Sequence, residues 1–108
     1  MAQDFERTGS RITNSASTIY TSNSNDAIVG LRVANILTTA ITMDVYVDLT
    51  SGDDRYLIKN ASIPPGGSLE LIMGGAKIVL QTGDVVKALA GTVNGADAWV
   101  SVVDSISA

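Results

Sequence analysis

The chain contains no histidine and no cysteine. Without histidine it lacks the usual acid–base group of neutral pH, the commonest metal ligand and the base of a nucleophile triad. Without cysteine it forms neither disulfides nor thiolate metal sites, which excludes a stapled secreted scaffold. Aromatic side chains are scarce: three Tyr, one Phe and one Trp. Cations are scarce too, with seven Lys and Arg against eleven Asp and Glu and a net charge of −4. A phosphate backbone calls for clustered positive charge and stacking rings, so no nucleic-acid partner is expected. No apolar run approaches the length of a membrane span, so no membrane partner is expected either. The opening stretch MAQDFERTGSR lacks the apolar segment of a signal peptide. The expectation is a protein made in the cytoplasm, then used there or carried within a larger particle.

What is present reads as strands. A chain of 108 residues is one domain, burying roughly two-thirds of the surface its unfolded form exposes. Residues 1–17 are polar and rich in Ser and Thr, with Phe5 and Ile12 as their sizeable apolar side chains. Such composition reads as an extended N-terminal arm, pegged by Phe5 and Ile12 either to its own domain or to a neighbour. From Thr18 the pattern changes, and residues 18–108 read as a single sandwich domain. Thr18–Thr21 is a short β-rich run followed by the turn-forming Ser22-Asn23-Ser24-Asn25-Asp26. Along 27–36, Val29, Leu31 and Val33 share one face. Along 40–50, Ile41, Met43, Val45, Val47 and Leu49 alternate with Thr42, Asp44, Tyr46, Asp48 and Thr50. That period of two predicts a half-buried antiparallel strand.

Turns punctuate the remainder. Ser51–Asp54 closes a hairpin into 55–63, and Pro64-Pro65-Gly66-Gly67 is a tight turn in which Gly66 takes the positive φ. Ser68–Met73 returns as a strand, Gly74-Gly75 breaks it, 77–80 is short, and Gln81–Asp84 turns again. Residues 84–91 suit either a capped helical turn or a strand, and the turns on both sides favour the strand. Asn94-Gly95 marks a two-residue hairpin into a last strand over 97–106. There Ala98, Val100 and Val102 face the core and Trp99 faces away. About seven or eight strands at such spacings predict an all-β fold, an antiparallel sandwich or small barrel.

The residues that could carry chemistry are few. Asp44 and Asp48 lie about 13 Å apart along one strand, too far for the paired carboxylates of glycoside hydrolysis. Asp53-Asp54 in a turn lacks the spaced further oxygens a calcium ion needs. The glycine pairs at 66–67 and 74–75 precede strands, not the helix that follows a phosphate cradle. No serine has a base to activate it. Asn60-Ala61-Ser62 fits a glycosylation sequon by chance. No enzymatic activity, metal or cofactor is therefore expected. A binding surface is the better prospect, with Phe5, Ile12, Tyr46 and Trp99 as candidate subunit-interface residues. Trp99 either packs beneath a loop or meets another subunit. A carbohydrate-binding module would use an exposed aromatic platform, for which Trp99, Tyr20, Tyr46 and Tyr56 are the supply.

One likeness extends from Thr18 to Ile106. The run Ile19-Tyr20-Thr21, the segment AIVGLRVANI, the segment YLIKNASIPPGGSLELI, then GGAKIVL, TGDVVKALA and the ending WVSVVDSI resemble small structural proteins of tailed bacteriophages. Its more specific pieces are Ile58-Lys59-Asn60-Ala61 running into Ile63–Leu69, and the turn at Gly83-Asp84. Similar chains have a Pro-Ala-Gly type of turn after the first strand, where this one has Ser22–Asp26. The resemblance implies a jelly-roll or Ig-like sandwich subunit of a virion, without enzymatic activity and homo-oligomeric. Its partners would be other virion proteins, either the major capsid protein in a decoration (cement) role or neck, collar and tail subunits.

Overall fold

The computed structural model describes residues 4–72, 77–91 and 95–104. Two antiparallel sheets of five and four strands pack face to face as a sandwich. In chain order the strands are β1 (Asp4–Ile12), β2 (Ser17–Thr21), β3 (Asp26–Asn35), β4 (Ile41–Asp48), β5 (Asp54–Ile63), β6 (Ser68–Glu70), β7 (Ile78–Leu80), β8 (Val85–Ala90) and β9 (Ala96–Asp104). The larger sheet runs β1-β9-β3-β6, with β7 also pairing β3. The smaller runs β2-β8-β4-β5.

The N-terminal segment corrects the arm expectation. Residues 4–12 are not an arm but the edge strand of the larger sheet, paired to β9 residue for residue from Asp4↔Asp104 to Ile12↔Ala96. Its polar composition follows from its place. An edge strand exposes one flank, and only the Ile12 end slides beneath the second sheet, where Ile12 is fully buried. The chain then crosses to the other layer, where the Ala90 N–H donates to the Thr13 carbonyl at 2.8 Å.

Between the sheets, period-two alternation delivers Met43, Val45 and Val47 of β4, Val86 and Ala88 of β8, Leu31 and Val33 of β3, and Val100 and Val102 of β9 into one core. Each fully buried Leu, Ile or Val stabilises the fold by about 1.5–3 kcal/mol relative to exposure. The core-facing register of β3 departs from strict alternation. Its pairing with β9 slips between Ile28 and Gly30, so Ile28 points inward together with Leu31 while Val29 is only half-buried. A bulge of this kind turns the following residues over by one position. Residues 84–91 resolve as the strand β8 rather than a helical turn.

The Pro64–Gly67 turn forms as the residue types demand. Gly66 has φ +70°, and the Gly67 N–H donates to the Pro64 carbonyl at 2.9 Å. Met73 at the end of the expected 68–73 strand, the break at Gly74-Gly75, Asn94 of the hairpin and Ile106 lie outside the described residues. Gly95 accepts a hydrogen bond from the Ile36 N–H at 3.1 Å.

Candidate functional site

The outer face of the larger sheet gathers the exposed side chains that could meet a partner. On β9, Trp99 points away from the core, flanked along the strand by Asp97 and Ser101. Its cross-strand neighbours are Gly9 on β1 and Arg32 on β3. Gly9 explains the pose of the ring. A Cβ at this position would lie 3.3 Å from Trp99 Cε3, so the missing side chain is what lets the indole lie down over β1. The Arg7 guanidinium sits 5.6 Å from the ring centroid, in cation–π range. Trp99 remains 51% exposed and Phe5, two residues along β1 from Arg7, is 85% exposed.

Ion pairs frame the indole. Arg11 pairs with Asp97 on one side. On the other, Arg32 reaches Glu70 at 3.1 Å, and the Leu31 N–H donates to the same carboxylate at 3.2 Å. A shallow depression of about 290 Å³ lies between Trp99, Ser101, Gly30, Arg32 and Glu70. Exposed pairs of this kind contribute little to stability, so they orient the surface more than they hold it together.

The other expected interface residues stand elsewhere. Ile12 belongs to the chain's own core and cannot peg a neighbour. Tyr46 does sit on the outward face of β4, yet it is only 8% exposed. Its cross-strand neighbours Tyr56 and Lys87 cover it, with the Tyr46 and Tyr56 rings 5.0 Å apart at 37°. Burial raises the Tyr46 phenol above its ordinary value, with Lys87 opposing the shift. Lys59 completes the patch, 4.4 Å from the Tyr56 centroid and 3.7 Å from Asp44.

Among the described residues three carboxylates are buried, Asp26 and Asp84 at turns and Asp44 within β4 opposite a bulge. Asp26 is fully buried at the start of β3. It accepts from the Tyr20 hydroxyl at 2.5 Å and lies 2.9 Å from Ser22 Oγ and 2.5 Å from Ser24 Oγ. Burial first, then the Asp26 hydrogen bond and charge, hold the Tyr20 phenol well above the usual tyrosine range. Asp84 ties two loops together. Its carboxylate accepts from the Thr50 N–H at 3.0 Å, the Thr50 hydroxyl at 2.9 Å and the Gln81 N–H at 2.9 Å. Burial pushes its pKa up, but these donors outweigh burial and leave it below the ordinary carboxylate value. Asp44 accepts the Asn60 N–H at 2.7 Å, where Asn60 adopts φ +53° at a bulge in β5. The sequence signal for Asp26 and Asp84 was an Asp beside turn-forming Asn or Gly, whereas Asp44 lies mid-strand between Met43 and Val45 with no such signal.

Among the described residues, metal-ligand spacing occurs at Asp4, Glu6 and Asp104, whose carboxylate oxygens come within 4.8 Å of one another. Asp53, by contrast, lies 3.8 Å from Arg55 at the hairpin. The chemistry on offer at the Trp99 face is recognition: a flat ring, a guanidinium and paired charges on a rigid sheet. The chain matches no protein-family model, and a search of curated proteins finds no match.

Proposed function

We propose that the chain is a non-enzymatic structural subunit of a tailed-bacteriophage virion, a capsid decoration protein that bridges neighbouring subunits of the major capsid protein. The observation that carries this reading is the exposed Trp99–Arg7–Phe5 surface on a stiff five-stranded sheet. Tryptophan and arginine are the residues that most often anchor protein interfaces, and a rigid sheet presents them without ordering cost. The antiparallel sandwich agrees with the jelly-roll or Ig-like subunit implied by the residue likeness from Thr18 to Ile106. The buried carboxylates Asp26, Asp44 and Asp84 support it further, because each is engaged in holding a turn or bulge. Decoration then works by repetition: modest interfaces multiplied by symmetry stabilise a shell.

Rebinding to particles lacking the protein tests the proposal. Wild-type protein should bind saturably, in a copy number comparable with that of the major capsid protein. Trp99→Ala should keep its fold and bind at least about tenfold more weakly, roughly 1.4 kcal/mol. Occupancy limited to a single ring per particle would assign the chain to the neck or tail instead. No binding by the wild type would refute the virion role.

A further inference from the structure

We propose that β1 is a self-association edge: two copies pair their β1 strands antiparallel about a two-fold axis at Thr8, fusing the two larger sheets into one. Such pairing goes beyond the virion role and stands or falls without it.

Sheet edges are templates for strand addition, and proteins blunt them with bulges, short strands, proline or lysine. The other edges of this sandwich are blunted. β5 is bent by register shifts opposite Met43, Val45 and Tyr46 and carries Lys59. β2 has five residues and a shift between Thr18 and Tyr20. β6 and β7 have three residues each. β1 is different. It has nine residues, no proline, no lysine and an unbroken register, its edge protected only by the charges of Asp4, Glu6, Arg7 and Arg11, and among the described residues it pairs with β9 alone. One flank of its backbone donors and acceptors is therefore open from Asp4 to Arg11, the buried Ile12 closing the end.

The residues on β1 select a second copy of the same strand. Centred on Thr8, the seven residues from Phe5 to Arg11 pair: Phe5 with Arg11, Glu6 with Ser10 and Arg7 with Gly9 about Thr8 itself. No like charges stand opposite one another in that register. Sliding by two residues one way sets Arg7 against Arg7, and sliding the other way sets Arg7 against Arg11. Like charges directly opposite are destabilising, so the charge pattern rejects both slips. Gly9 adds steric fit. Because it has no side chain, the Trp99 ring leans over it toward the edge. Arg7 of the second copy, standing opposite Gly9, meets that ring. Each indole would then lie between its own Arg7 and that of the other copy, a cation–π arrangement on both sides.

The chain's lack of cysteine makes the register directly readable. In the proposed dimer the two Thr8 Cα atoms are about 4.5–5.5 Å apart, inside the span of about 4.4–6.8 Å that a disulfide bridges. Ser10 lies opposite Glu6, about 13 Å from its counterpart by strand rise. Sedimentation equilibrium of the wild type should show a concentration-dependent dimer, with the emission of the single tryptophan changing as the dimer dissociates on dilution. Under oxidising conditions Thr8→Cys should become a covalent dimer and Ser10→Cys should stay monomeric on a denaturing gel. Far-ultraviolet circular dichroism establishes that both variants are folded. A wild type that remains monomeric at millimolar concentration overturns the proposal. So does cross-linking of Ser10→Cys as readily as Thr8→Cys, which would place the contact elsewhere or in another register.

Discussion

At the scale of single residues, the sandwich is fastened by carboxylates rather than by large apolar groups alone. Asp84 is the clearest case, joining the β4–β5 hairpin to the turn before β8 through three donors. Its folded pKa is depressed, so its stabilising contribution is present above the ordinary value of 3.8 and is lost as pH falls through the lower folded value. Asp84→Ala should therefore destabilise the protein at neutral pH by about 1–3 kcal/mol, since two part-buried N–H donors lose a charged acceptor. The difference between variant and wild type should shrink in acid. Urea melts at pH 7 and at pH 3 measure both effects, and a pH-independent difference would show that the charge of Asp84 is immaterial.

Residue identity also decided what could be read in advance. The outward pose of Trp99 follows from alternation along β9, because Ala98 and Val100 on either side are buried. The neighbours that shape its surroundings, Gly9 and Arg7, come from a strand about ninety positions earlier. Nothing local announces a cross-strand pair at that separation. The burial of Tyr46 is hidden for a related reason: alternation places it outward, but Tyr56 and Lys87 from two adjacent strands cover it.

At the scale of elements, strands with a clean period of two were legible and those shaped by position were not. β4 carries Ile41, Met43, Val45 and Val47 on one side and was legible by that alternation. β8, apolar on both faces, is favoured as a strand only by its flanking turns. The composition of β1 reads as an arm because most of its residues are polar, yet polarity is what an edge strand with one covered end should show. β3 was anticipated as a strand, but its bulge shifted the inward set from Val29 to Ile28, which residue types alone do not specify. The reassignment of β1 has a direct consequence. Ile12→Ala should cost about 2–5 kcal/mol, the range for emptying a fully buried aliphatic position. Removal of residues 1–12 should abolish cooperative thermal unfolding, because it strips an edge from β9 as well as a core side chain. A truncated chain that melts as cooperatively as the full one would restore the arm description.

At the scale of the whole molecule, the chain is a two-layer slab with a tryptophan, phenylalanine and arginine patch on one face and a tyrosine and lysine patch on the other. On the smaller sheet Tyr46, Tyr56, Lys59 and Asp44 contact one another, burying Tyr46 and leaving Tyr56 partly exposed. On the larger sheet Trp99 and Phe5 are left to solvent. That asymmetry suits a subunit that attaches by one side to something larger and turns the other outward. The fold class was within reach of the amino-acid pattern, whereas the direction in which the slab faces required the sheets to be assembled. Contact mapping by cross-linking and mass spectrometry on intact virions tests this account most directly. It predicts links from β1 and the strand carrying Trp99 to the major capsid protein, with the smaller sheet unlinked. Links confined to the Tyr46–Tyr56 face, or absence of the chain from virions, would contradict it.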